Sequence, residues 1–148
     1  MQIITLNLNG IRAAAKKGFL SWLVEQSADI VCVQELKAQM PDLVEDMLEP
    51  NGYHGYFYCA EQKGYSGVGI YSRIQPDRVI EGVGIAEIDA EGRFLQVTYG
   101  ELSIISLYLP SGSSGEHRQA AKFFFMEKFF PILKTLKDSG QEIILCGD

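Results

Sequence analysis

The chain has 148 residues, 47% hydrophobic and 22% charged, values that are ordinary for one soluble globular domain. Its formal net charge of −6 excludes a simple basic coat for nucleic acid, because phosphate contacts require Lys and Arg. An acidic balance still allows carboxylates to gather around a metal ion while basic residues line a separate groove. The sequence shows no signal peptide and no membrane-spanning apolar run, and three scattered cysteines suit a reducing compartment. We therefore expect a cytoplasmic protein without a membrane partner.

The pattern of the first third of the chain predicts two strands with a helix between them, followed by a second helix. Strands are predicted over Gln2–Leu8 and Ile30–Gln34, and an amphipathic helix over Phe19–Gln26. The second helix is predicted to begin near Pro41, since proline is favoured at the first helical position, and to continue to Leu48.

The pattern of the remaining residues predicts several consecutive strands, one long helix and a last strand. Gly, Asp and Pro residues separate the strands, as in antiparallel connections. The long helix is predicted from about Glu116 to Lys137, and Pro131 is expected to kink or interrupt it. The strands are predicted over Tyr53–Tyr58, Val68–Ser72, Arg78–Glu81, Phe94–Tyr99, Leu102–Leu107 and Glu142–Cys146.

Polar residues stand where several apolar strands end. Asn7 and Asn9 close the first strand, Glu35 follows the second, and Tyr108 and Asp148 follow two later ones. Carboxylate and amide oxygens are hard ligands suited to Mg²⁺ or Mn²⁺, and a phenol can hold a phosphate oxygen. This pattern is compatible with phosphoryl transfer, but strands also end in polar residues for solubility, and spacing leaves both interpretations open.

Five segments, in order along essentially the whole chain, resemble motifs of exonuclease III and the abasic-site endonucleases. The resemblance implies a member of the endonuclease/exonuclease/phosphatase superfamily, an α/β protein built as a four-layered α/β sandwich that uses Mg²⁺ or Mn²⁺. The segments are Leu6-Asn7-Leu8-Asn9-Gly10-Ile11-Arg12-Ala13, Gln34-Glu35-Leu36-Lys37, Gly64-Tyr65-Ser66-Gly67-Val68-Gly69, Tyr108-Leu109-Pro110-Ser111-Gly112 and Cys146-Gly147-Asp148.

The resemblance also implies roles for individual residues. Glu35 matches the principal metal ligand, and Asn7 lies beside it in the metal and water network. Tyr108 matches the tyrosine that contacts the scissile phosphate. Asp148 matches the aspartate of the Gly-Asp-x-Asn motif, which serves in proton transfer and in the metal site.

Three further residues are candidates for DNA contact, and each has a structural alternative. Arg12 and Lys37 stand in the matching motifs and could hold phosphates, although isolated basic residues are usually solvated surface. Asn9 could contact DNA or only shape the turn before Gly10. His54 and His117 lack the neighbours of a catalytic pair and are expected to be structural or exposed.

The chain departs from the family pattern at its end, because it stops at Asp148, inside the Gly-Asp-x-Asn motif. The family's following Asn, its later Asp and its closing Asp-His pair, whose His is the general base, are not in the 148 residues. Residues 1–148 are therefore expected to be the N-terminal part of one domain. We expect an apolar inner sheet face to meet water, making the isolated chain unstable or aggregating unless a partner covers that face.

The leading hypothesis is a DNA-repair nuclease of base excision repair. It would be a 3′ to 5′ exodeoxyribonuclease, an abasic-site endonuclease or both, acting on double-stranded DNA with abasic sites or 3′ ends, and monomeric when intact. The isolated chain is expected to be inactive because it lacks the general base. Two alternatives stay open: a phosphoesterase of the same superfamily acting on lipid or nucleotide substrates, and a non-catalytic binding fragment.

Overall fold

A computed structural model of the chain describes residues 1–113 and 115–148. The described elements are two four-stranded sheets, five α-helices and one short 3-10 helix. In chain order they are β1 (Ile3–Asn7), α1 (Ile11–Lys16), α2 (Phe19–Glu25), β2 (Ile30–Gln34), the 3-10 helix (Met40–Asp42), α3 (Glu45–Leu48), β3 (His54–Tyr58), β4 (Val68–Ser72), β5 (Arg78–Glu81), α4 (Ala86–Asp89), β6 (Phe94–Tyr99), β7 (Leu102–Leu107), α5 (Glu116–Asp138) and β8 (Glu142–Gly147).

Each sheet is mixed and contains one parallel pair. The first sheet has the order β1-β2-β4-β3, and the second has the order β5-β6-β7-β8. β1 runs parallel to β2, with Asn7 opposite Gln34, and β7 runs parallel to β8, with Leu107 opposite Gly147. The helices α1 and α2 connect the first parallel pair and α5 connects the second, so each pair has its carboxyl ends at one edge.

Three apolar layers hold the fold together. Alternate residues of β2 face opposite sides of the first sheet: Val31 and Val33 pack toward α1 and α2, whereas Ile30 and Cys32 pack toward the second sheet. The layer between the sheets is formed by Ile30, Cys32, Val68, Ile70, Leu95, Val97 and Ile104. The third layer, beneath α5, contains Phe94, Ile105, Leu107, Phe125 and Phe129.

This arrangement of helix, sheet, sheet and helix confirms the predicted four-layered α/β sandwich. The expectation that the inner sheet face meets water was wrong. Ile70 of β4 and Ile104 of β7 are fully buried against each other's sheets, because the chain builds the second sheet from its own four strands. Exposed apolar side chains are spread over the surface, and two of them, Ile144 and Leu145 at 36% and 43% exposed, lie on the edge strand β8.

Two helix predictions need correction. The helix predicted from Pro41 to Leu48 divides into the 3-10 turn and α3, because Leu43 and Val44 adopt extended backbone conformations between them. Pro131 lies inside α5 without interrupting it, and Phe125 and Phe129 pack the helix onto the second sheet on the N-terminal side of the proline. Among the described residues, no helix combines the length and the apolar character needed to cross a membrane.

Candidate active site

Four strand ends bring the predicted site residues together. Asn7 ends β1 and Glu35 follows β2, whereas Tyr108 follows β7 and Asp148 follows β8. Gly147 allows β8 to come this close, because a Cβ there would lie 2.3 Å from the Leu107 carbonyl oxygen. The N–H of Asp148 bonds that same carbonyl at 3.2 Å. The site therefore lies where the two parallel strand pairs end side by side.

The Asn7 amide bridges the two carboxylates. Its Nδ2 donates to Oε1 of Glu35 at 3.0 Å and to Oδ2 of Asp148 at 2.6 Å. Its Oδ1 accepts the main-chain N–H of Asn9 at 2.8 Å, which fixes the orientation of the amide. The Asn7 amide N–H groups therefore orient the Glu35 and Asp148 carboxylates, and the amide oxygen accepts the hydrogen bond that forms the turn to Asn9.

Glu35 is held as a carboxylate by three donors. Burial raises its pKa, but hydrogen bonds from Tyr108, Asn7 and Lys37, together with the Lys37 charge, outweigh burial and leave the pKa below its usual value. The phenol of Tyr108 donates to Oε1 at 2.6 Å, and the Lys37 ammonium lies 3.0 Å from Oε2. Glu35 is therefore ionised at neutral pH.

Tyr108 stays protonated for the complementary reasons. Burial is the largest cause that raises its pKa, the hydrogen bond to Glu35 is the next, and nearby Arg93 opposes them only in part. A neutral phenol at this place can donate a hydrogen bond to an anion.

Backbone strain concentrates in the loops that carry the site. Asn9, Glu35 and Lys37 have positive φ angles of 47°, 54° and 49°, a region that non-glycine residues rarely adopt. The loops are nevertheless held, because Gly10 N–H bonds the Glu35 carbonyl at 2.8 Å and Lys37 Nζ bonds Asn9 Oδ1 at 2.5 Å. Strained conformations kept by the surrounding structure are a mark of functional sites.

The three candidates for DNA contact lie on one side of this centre. Lys37 and Asn9 contact each other and reach Glu35 through the Lys37 ammonium. Arg12 lies farther out, donating to the Lys37 carbonyl at 3.1 Å and lying 3.7 Å from Asp42. Arg12 lines a neighbouring surface cavity with Lys63, and not the one beside Glu35.

A cavity of about 500 Å³ opens beside the centre. It is lined by Glu35, Tyr108 and Asp148, by the segment Leu109–Ser113, and by Gln119 and Lys122 of α5. Neither His54 nor His117 lines it; His54 is exposed at the surface, 3.8 Å from Glu49. The cavity combines carboxylates with phenol and ammonium groups, which suits a phosphate ester and a cation together.

The donor set fits a hard divalent cation. Two carboxylates share the Asn7 amide, and in the described part of the chain no group of three or more His, Cys, Asp or Glu side chains stands close enough to form an all-protein metal cage. Mg²⁺ is typically held by one or two carboxylates together with water and substrate phosphate, whereas structural zinc needs four protein ligands. Glu35 and Asp148 are the residues that would hold such an ion.

Residues that the sequence did not single out also shape the site. Gln34, the residue before Glu35, is buried. Its Nε2 donates to Thr5 of β1 at 3.2 Å and to Ser106 of β7 at 3.1 Å, so it links the first sheet to the second. Arg93 is buried and contacts Tyr108 and Tyr65. In the sequence, Gln34 and Arg93 are recognisable only as a polar and a charged residue at the end of an apolar strand. Solvent-exposed residues at strand ends show the same pattern, so the sequence does not distinguish the two cases.

A family model for the endonuclease/exonuclease/phosphatase family matches residues 4–148. The chain belongs to that family. An exodeoxyribonuclease of Bacillus subtilis is 38% identical over 149 residues, which cover 100% of this chain and 58% of that protein. A DNA-(apurinic or apyrimidinic site) endonuclease of Dictyostelium discoideum is 31% identical over 149 residues, covering 100% of this chain and 41% of that protein.

Solved structures agree with this assignment. An AP endonuclease from Archaeoglobus fulgidus superposes with a TM-score of 0.85 at 29% identity, over 100% of this chain and 57% of that one. The endonuclease/exonuclease/phosphatase chain described here thus spans about half the length of the relatives it matches. The resemblance to exonuclease III and the abasic-site endonucleases that the five motifs predicted is confirmed.

Proposed function

We propose that this chain supplies the metal- and phosphate-binding residues of a DNA-repair nuclease that hydrolyses phosphodiesters of duplex DNA at abasic sites or 3′ ends. The observation that carries the proposal is the convergence of one phenol, one amide and two carboxylates at four strand ends beside one cavity. Relatives named as an exodeoxyribonuclease and an abasic-site endonuclease favour DNA over a lipid or nucleotide substrate.

Glu35 and Asp148, oriented by Asn7, would hold Mg²⁺ or Mn²⁺ at this place. The cation would neutralise the charge that develops on the phosphate during in-line displacement. The pair Lys37 and Asn9, and Arg12 farther out, would contact backbone phosphates on the side of Glu35 away from Tyr108.

Tyr108 and Asp148 would contact the reacting phosphate most directly. The protonated phenol of Tyr108 would exchange its hydrogen bond with Glu35 for one to a non-bridging phosphate oxygen. The Asp148 carboxylate, which accepts from Asn7 Nδ2, would orient a water or handle the leaving-group proton.

We further propose that the 148 residues alone have negligible turnover. The family resemblance assigns the general base to a histidine that is not among them, and neither histidine of the chain lines the cavity. Binding is therefore the sharper test of function than cleavage.

The test is binding of a duplex that carries one tetrahydrofuran abasic analogue, measured by fluorescence anisotropy with Mn²⁺ at several salt concentrations. We expect Mn²⁺ to strengthen binding, Glu35→Gln to remove that effect, and unlabelled abasic duplex to compete. An undamaged blunt duplex and a duplex with recessed 3′ ends separate abasic-site preference from 3′-end preference. Competition by inositol phosphates or mononucleotides, with none by DNA, would overturn the proposal in favour of a lipid or nucleotide substrate.

A parallel measurement follows nicking of a duplex with a natural abasic site. Negligible nicking by the wild-type chain is the expected result. Metal-dependent nicking that Glu35→Gln abolishes would support the nuclease but contradict the proposal that the chain alone has negligible turnover. Tight, salt-dependent binding that neither Mn²⁺ nor Glu35→Gln alters would instead indicate a non-catalytic binding module.

A further inference from the structure

Arg93 is a charged side chain in the interior that the proposed chemistry does not use. It directly precedes β6, and its side chain is 2% exposed. A guanidinium loses hydration when it is buried, so its partners must compensate for that loss. The adjacent Glu91 carboxylate accepts a hydrogen bond from Nε and supplies the opposite charge.

The two terminal nitrogens of Arg93 bond Tyr108 and Tyr65. Nη1 donates to the Tyr108 carbonyl oxygen at 3.0 Å, and Nη2 donates to the Tyr65 hydroxyl at 2.7 Å. The carbonyl of Arg93 in turn accepts the N–H of Tyr108 at 2.9 Å. Both main-chain polar groups of Tyr108 are therefore bonded to the same residue.

The guanidinium also lies against the ring of Tyr108. Its Cζ is 5.0 Å from the centroid of that ring and 5.6 Å from the centroid of Tyr65, within the range of cation–π contacts. Tyr108 lies just beyond the end of β7, opposite Arg93, one pair beyond the Phe94–Leu107 pair of the β6–β7 register. Arg93 therefore constrains the main chain and the ring of a residue whose hydroxyl meets Glu35.

We propose that Arg93 is a positioning residue for Tyr108, holding the phenol where it meets Glu35 and, in the reaction, a phosphate oxygen. The part that concerns phosphate rests on the proposed function, whereas the positioning of the ring does not. The planar fork of Arg93 spans the Tyr108 carbonyl and the Tyr65 hydroxyl together, and a lysine has only one nitrogen to offer to both.

Arg118 provides the matched control. It donates to the same Tyr65 hydroxyl at 2.8 Å, and its Cζ lies 5.5 Å from the Tyr65 ring. None of the contacts found for Arg118 involves Tyr108 directly. A change at Arg118 thus perturbs the far end of the tyrosine–arginine cluster and leaves both main-chain bonds of Tyr108 in place.

The first experiment labels the 148-residue chain with 3-fluorotyrosine and records ¹⁹F NMR spectra, with the Tyr108 signal assigned by Tyr108→Phe. We expect one Tyr108 signal in the wild type and in Arg118→Met, and a displaced or split signal in Arg93→Met and Arg93→Lys. The Tyr56 signal, from the middle of β3, should stay in place and report that the fold is intact. Arg93→Lys keeps the charge beside Glu91, so it carries the test if Arg93→Met does not fold.

The second experiment is a double-mutant cycle for Mn²⁺-dependent binding of the abasic-analogue duplex. Arg93→Met should weaken binding about fivefold in the wild type and less than about twofold in Tyr108→Phe, because contacting residues couple. Arg118→Met should give the same factor in both backgrounds.

An unchanged Tyr108 signal in both Arg93 variants, or additive losses in the cycle, would overturn the inference. If Tyr108→Phe alone leaves binding unchanged, the phosphate role in the proposed function fails. The NMR result still decides whether Arg93 positions the ring.

Discussion

Tyr108 and Glu35 join the two sheets at the candidate site through a hydrogen bond of 2.6 Å from the phenol to Oε1. They follow β7 and β2, strands of different sheets, and are separated by 73 residues in the chain. The bond is compatible with both shifted pKa values, since the carboxylate is favoured as the acceptor and the phenol as the donor. An incoming phosphate oxygen would compete with Glu35 for the Tyr108 proton.

Glu35→Gln should lower the affinity for Mn²⁺ by at least about tenfold, because it removes one of two carboxylates and changes to metal-site residues typically cost that much. Titration followed by water-proton relaxation measures the affinity. Glu25→Gln, on the exposed side of α2, removes the same charge far from the site and should leave the affinity unchanged. Equal losses in the two variants would show that only net charge matters.

Tyr108→Phe should weaken binding of the abasic-analogue duplex roughly three- to tenfold, the effect of one lost hydrogen bond. Isothermal titration calorimetry gives the dissociation constants. The control is Tyr56→Phe, since Tyr56 does not line the cavity. In the absence of DNA, Tyr108→Phe should lower the affinity for Mn²⁺ only slightly, because the phenol lies beside the two carboxylates and is not itself a metal ligand in this proposal. A large loss of Mn²⁺ affinity would point to a role in the metal site instead.

Stability should depend on pH through Glu35. Its folded pKa lies below the usual value, so its contribution is fully present above the unfolded pKa of about 4.3 and is lost as the pH falls through the lower, folded value. The wild type should therefore lose more free energy of unfolding between about pH 6.5 and pH 3 than Glu35→Gln does. Urea unfolding at several pH values measures the difference. Parallel curves for the two proteins would contradict it, and Glu25→Gln should follow the wild type.

Self-association should depend on the edge strand β8. Among residues 1–113 and 115–148, none pairs with the outer edge of β8 in the second sheet, and Leu145 is 43% exposed. Such edges pair with other chains unless charge protects them. Leu145→Lys should therefore shift the chain toward monomer in sedimentation velocity over a range of concentrations. Phe123→Lys changes a similarly exposed apolar residue of α5 that is on no strand edge, and it should have the smaller effect. A wild-type chain that stays monomeric over the whole range of concentrations and melts in one sharp transition would contradict this prediction.

Much of the secondary structure could be predicted because its signals are local. The strands β2, β4, β5, β6 and β7 lie at their predicted bounds, since runs of β-branched and aromatic residues between turn residues are a sequence property. The break at Leu43–Val44 was not predicted, because apolar spacing there matches a helix while the backbone is extended. Of the consecutive aromatic residues Phe123, Phe124 and Phe125 in α5, Phe125 is buried and Phe123 is 59% exposed. Consecutive positions of a helix point in different directions, and all three cannot face one sheet.

The sequence by itself determined the family and the four strand-end residues Asn7, Glu35, Tyr108 and Asp148, because the motifs and the apolar strands before them are written in consecutive residues. Only the tertiary structure decided that the Asn7 amide nitrogen faces both carboxylates and that Arg93 holds Tyr108. Contacts across 15 to 141 residues of chain depend on strand order, register and the close packing of two sheets. None of these is encoded in local spacing, because a buried arginine and a solvated one look the same in sequence until the fold closes around them.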